Sequence, residues 1–126
     1  MPIRPSAAGE IRRLIDALGE PDAIRREAAI ARLAVIGPRA VDHLLQEYNG
    51  AAPAAQAAML RALELIADPR ALPVARTALD AAQTEVAIAA AGALRALMAA
   101  NTPQPARDAL DALVARALDW RQPAPI

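Results

Sequence analysis

Residues Met59 to Leu79 read MLRALELIADPRALPVARTAL, a helix, a tight corner at Asp68-Pro69 and a second helix. Related segments flank it, IARLAVIGPRAVDHLLQEY from Ile30 to Tyr48 and AAGALRALMAANTPQPARDALDALVARAL from Ala90 to Leu118. Leu33, Leu63 and Leu94 are 30 and 31 residues apart, and the corner prolines Pro38 and Pro69 are 31 apart. A fixed period of that length, filled by two helices per unit, predicts an all-α helical solenoid.

The corners have a physical logic. Asp68 precedes Pro69, so its carboxylate is placed to accept from the orphan amides of a helix start, while proline at the first helical position loses no needed donor. Proline also disfavours the α region for the residue before it, which stops the preceding helix. Gly37-Pro38 repeats the pattern with glycine at the cap, and Thr102-Pro103 repeats it with threonine.

Outward from the corners, hydrophobic spacing marks the remaining helices. Ile11, Leu14, Ile15 and Leu18 form one stripe after a possible cap at Ser6, and Gly19 ends that helix. From about Asp22 to Ile36, Ile24, Ala28, Ala31 and Val35 form one stripe while Ile30 and Leu33 cover another side. A helix apolar on two sides needs neighbours on both. Val41, Leu44, Leu45 and Tyr48 form the stripe of the next helix, which Asn49-Gly50 ends. The helix from Pro53 keeps a thin polar stripe of Gln56, Arg61 and Glu64. The helix from Pro69 is expected to bury Leu72, Ala75 and Leu79. Thr84 is placed to cap a nearly all-apolar helix, and the last helix is expected to bury Ala106, Leu110, Leu113 and Ala117.

The chain has 126 residues, enough for one domain, and is 56% apolar but only 2% aromatic. Alanine supplies much of that apolar content, favours helices and lets helix axes approach closely. Fourteen arginines, with no lysine, balance fourteen acidic residues. The charge balance gives no net field toward nucleic acid or an anionic membrane. Without cysteine there is no disulfide, thiolate nucleophile or thiolate metal site, which fits a cytoplasmic protein. The longest apolar run, Val86 to Ala100, is 15 residues and contains Arg95. It falls short of the roughly 20 residues that span a bilayer.

Three segments, Arg25-Arg26-Glu27-Ala28-Ala29, Gly37-Pro38-Arg39-Ala40-Val41 and Asp68-Pro69-Arg70-Ala71-Leu72, make residues 20 to 118 resemble HEAT repeats of the PBS-lyase-like subgroup. At the third corner Gln104-Pro105 replaces the Arg-Ala of that pattern. The resemblance implies a right-handed α-α superhelix of about seven helices in three antiparallel pairs (units of about 21–48, 53–82 and 84–119). A capping helix of about 7–18 would precede them and a tail of 120–126 would follow. It also implies second helices on the concave side and protein binding as the function, that is, a non-catalytic interaction scaffold. Two alternatives follow from similar repeats elsewhere, a bilin-lyase-like subunit and a DNA-binding HEAT-like solenoid. Zero net charge and a lone tail tryptophan oppose the second.

His43 has Glu47 one turn on, but two ligands do not make a metal site, so a solvated histidine is expected. Tyr48 reads as core filler, and Trp120 either caps an open end or contacts a partner. The sequence has no phosphate loop, paired carboxylates or nucleophile–base set, so no catalytic residue, metal or cofactor is expected. Repeat-equivalent polar positions suggest a protein-binding ridge of Arg39, Asp42, His43, Gln46, Arg70, Thr77, Asp108 and Asp111. These residues would equally serve as the solvated face any amphipathic helix needs. A second candidate is an apolar contact patch of Ala89, Gly92, Ala96 and Ala99, suited to a partner or to a second copy in a homodimer.

Overall fold

The computed structural model describes residues 7–101 and 104–120, without the side chains of residues 104, 106, 107, 119 and 120. All regular structure among them is helical: α1 (Ala7–Ala17), α2 (Ala23–Ile36), α3 (Val41–Tyr48), α4 (Pro53–Ile66), α5 (Leu72–Ala78), α6 (Thr84–Asn101) and α7 (Gln104–Trp120). A short 3-10 helix leads into α3 (Gly37–Ala40) and another into α5 (Pro69–Ala71). The cap expected at Ser6, the Thr102-Pro103 corner, the role of Trp120 and the tail lie outside the described residues.

The helix ends follow from residue chemistry. Asp22, in extended conformation, accepts from the Ile24 amide over 2.9 Å and opens α2. Gly37 closes α2 at φ 76°, a conformation that glycine adopts without strain, with its amide donating to the Leu33 carbonyl. Asp68 Oδ1 accepts from the Arg70 amide over 2.9 Å, the cap expected at that corner. Immediately before it, Ala67 takes the left-handed φ of 58° so that its amide reaches the Leu63 carbonyl at 2.9 Å. Thr84 is not the cap of α6. The Ala87 amide bonds to the Gln83 carbonyl, so Gln83 holds the boundary and Thr84 is already inside the helix.

In the packing, α4 lies between α2 and α6, and the other main contacts are α1 with α2 and α5 with α6. Glu64 rests against Gly92 and Asn101 Nδ2 donates to the Ala67 carbonyl, so α4 and α6 run in the same direction. The core combines Ile11, Leu18, Ile30, Leu33, Leu44, Leu60, Leu63 and Leu97 with fully buried alanines such as Ala62, Ala75, Ala90 and Ala93. The stripes expected on α1 and α3 point inward, with Tyr48 buried and Leu14 and Leu45 at the edge.

Three expectations about burial are corrected, those for α2, α5 and α7. On α2 the inward stripe is Ala29, Ile30 and Leu33, whereas Ile24 and Val35 are 81% and 75% exposed. On α5, Ala71, Ala75 and Ala78 are buried, Leu72 is half-buried, and Leu79 is exposed. On α6, Ala93 and Leu97 take the deep positions and Leu94 sits at the edge. On α7, every side chain described from 108 to 118 is exposed, Leu110, Leu113 and Ala117 included. Among the described residues no other helix packs along α7, so its stripe has nothing to bury against.

Candidate functional site

The ridge expected from equivalent positions is divided by the structure. Arg39, in the 3-10 turn before α3, and Gln46, on α3, are both exposed. His43, expected to be a solvated histidine, is half-buried and lines a small open cleft with Arg12, Ile15, Asp16 and Glu47. Asp42 faces the other way and accepts from Arg70 Nη1 over 2.9 Å. Arg70 also bonds both carboxylate oxygens of Asp68 and the Pro38 carbonyl, so it ties the two corners together. Thr77 shares an open groove of ≈ 360 Å³ with Leu45, Tyr48, Asn49, Arg70, Pro73 and Val74. Asp108 and Asp111 are exposed on α7, which does not pack beside α5, so they do not extend this ridge.

The small-residue patch on α6 is also divided. Ala89, Gly92 and Ala96 are half-buried, while Ala99 is exposed. Ala89 and Gly92 line an open groove of ≈ 400 Å³ between α4 and α6, together with Ala57, Arg61, Glu64, Glu85 and Ile88. Glycine inside a helix costs about 1 kcal/mol relative to alanine. At position 92 it has a packing consequence, because a Cβ there would lie 3.2 Å from Glu64 Oε1. The absent side chain lets the Glu64 carboxylate lie across α6.

The face that sequence reasoning assigned to the core is the outward one. Arg32 of α2 reaches Glu10 of α1 at 2.9 Å on one flank. On the other flank, Arg61 of α4 donates through both terminal nitrogens to the two carboxylate oxygens of Glu27, the Nη2–Oε2 bond being 2.8 Å. The stripe Ile24, Ala28, Ala31 and Val35 lies between those two ion pairs and points to solvent. Beyond Arg61 the outward face continues through Leu65 (60% exposed) to Ile88 of α6 (67%). A period of seven and four residues identified the α2 stripe correctly, but the bracketing charges Arg25, Glu27 and Arg32 were the signal that it faces water.

Electrostatics on this face follow the ion pairs. The hydrogen bond from Arg61 holds the Glu27 carboxyl below its ordinary value and raises the Arg61 guanidinium in turn. At the corner, the Arg70 side chain and then its amide lower the Asp68 carboxyl. Among the described residues, no three histidine, aspartate or glutamate side chains are grouped to hold a metal ion, and no helix is long and apolar enough to cross a membrane. Comparison with protein-family models, with curated proteins and with solved structures finds no match.

Proposed function

We propose that this chain is a non-catalytic protein-interaction module, built as a HEAT-type helical-repeat solenoid, that binds its partner through the outward face of α2, α4 and α6. The observation that carries the reading is that Ile24, Val35, Leu65 and Ile88, on three neighbouring helices, are each exposed by more than half. Single exposed leucines are ordinary on a protein surface, but several large aliphatic side chains left outside on neighbouring helices suit a protein contact. The repeat reading is supported by the 30- and 31-residue period, the paired Pro38 and Pro69 corners, and the common direction of α4 and α6. A nucleic-acid partner is disfavoured because Arg32, Arg61 and Arg70 are each engaged by a carboxylate of the chain itself.

Affinity capture from the native host tests the reading when the parent is compared with Val35→Glu and Leu65→Glu. Both positions are exposed, so the variants are expected to fold. A partner bound by the parent, lost with either variant and bound again as a purified protein supports the interaction module. Partners retained equally by all three proteins, or capture of none, would count against this face.

A further inference from the structure

The groove between α4 and α6 has a composition that selects one kind of visitor. Its walls are aliphatic (Ala57, Ile88 and Ala89), and its floor is Gly92 with the Glu64 carboxylate lying against it. Glu85, in the first turn of α6, lines the same groove. Among the described residues Arg61 is the one cation lining it, and both its terminal nitrogens are given to Glu27. Glu64 acts on Arg61 electrostatically without an ion pair, and among the described residues Glu85 makes no ion pair either. Glu27 and Glu64 thus both act on the Arg61 guanidinium, and Glu85 adds a further carboxylate to the lining of the groove. Arg95 is exposed on α6 but does not line the groove.

We propose that this groove receives an arginine side chain of a protein partner. The three methylenes of arginine lie well on apolar surface, which Ile88, Ala57 and Ala89 supply. Its guanidinium carries several donors in a fixed fork that matches carboxylate geometry, and Glu64 and Glu85 are the carboxylates in place. Gly92 bears on this arrangement, since a Cβ there would lie 3.2 Å from Glu64 Oε1 and require the carboxylate to shift by a few tenths of an ångström. The proposal rests on the reading of the chain as a protein-binding module, and it adds the residue type that anchors the partner beside the aliphatic face.

The test uses the full chain and the blocked peptide Ala-Ala-Arg-Ala-Ala, with the citrulline peptide as a neutral counterpart of nearly the same shape. Titration into the millimolar range, followed by amide resonances, is expected to give saturable shifts at Glu85, Ile88, Ala89 and Gly92. The citrulline peptide is expected to bind at least about tenfold more weakly, as are Glu64→Gln and Glu85→Gln with the arginine peptide, because a charge-assisted contact is lost in each case. Gly92→Ala is expected to weaken binding while leaving the helix intact. If it does not fold, the two glutamine variants still decide the matter, since both change only partly exposed or exposed side chains. Absence of saturable shifts, equal binding of the citrulline peptide, or binding unchanged in both glutamine variants would overturn the proposal. Any of these results leaves the aliphatic face to be judged by Val35→Glu and Leu65→Glu.

Discussion

Arg70 and Asp42 stand 28 residues apart in the chain, yet Arg70 Nη1 donates to Asp42 Oδ1 over 2.9 Å. The same guanidinium holds Asp68 and the Pro38 carbonyl, so one side chain joins both helix–Pro–helix corners. Lysine has the charge but not the planar fork, and the three donors on its single nitrogen do not match the four acceptor atoms that Arg70 reaches. Arg70→Lys is therefore expected to speed amide exchange at Arg70 and Ala71 while leaving the unfolding midpoint close to that of the parent. An exchange pattern unchanged at this corner would show that the network contributes no local order.

Asp68 is tested by two substitutions with different consequences. Asp68→Ala removes the cap and should cost about 1 kcal/mol of stability in denaturant unfolding. Asp68→Asn keeps a capping oxygen but removes the charge. Because the folded-state value of Asp68 is lowered by Arg70, its carboxylate contribution is full above the ordinary value of 3.8. It fades below that pH and is gone once the pH has fallen through the folded-state value. The parent should thus lose more stability than Asp68→Asn between neutral pH and strong acid, and parallel pH curves would refute the linkage.

Leu63 is 1% exposed in the last turn of α4, so Leu63→Ala should destabilise by about 2–5 kcal/mol. Its repeat counterpart Leu94 is only partly buried, and Leu94→Ala should cost clearly less. Equal losses in thermal or urea unfolding would contradict this difference in burial.

Ala67 carries a left-handed φ of 58° that glycine adopts freely. Ala67→Gly should therefore stabilise the chain by about 0.5–1 kcal/mol, the strain relief exceeding the added freedom of the unfolded state. A lower melting temperature would mean that the Ala67 side chain supports packing more than its backbone strains it.

Helix α7 has no packed neighbour among the described residues, and its Leu110, Leu113 and Leu118 are each about 60% exposed (60%, 60% and 59%). A lone helix of this length is marginal in water. Amides from 108 to 118 should exchange orders of magnitude faster than those around Leu60 and Leu63 in α4. Comparable protection would require a covering surface for the leucine stripe.

The sequence by itself determined that the chain is helical, where the helices stop, and which residues make the corners. Those features are local: a carboxylate caps the amides two residues on, proline lacks its donor, and glycine reaches positive φ wherever it is placed. The cap at Asp68 and the break at Gly37 were legible for that reason. Tertiary structure decided which apolar stripe is buried. On α2 both stripes have helical spacing, and burial falls to Ile30 and Leu33 because α1 and α4 dock on that side, while Ile24 and Val35 are left outside. On α7 the stripe is as regular as any in the chain, yet it buries nothing, since periodicity shows that a face exists and only a neighbouring helix can cover it. The candidate site was hidden by the same ambiguity: the groove of Glu64, Glu85 and Gly92 comes from two helices about thirty residues apart, brought together by the packing of α4 on α6.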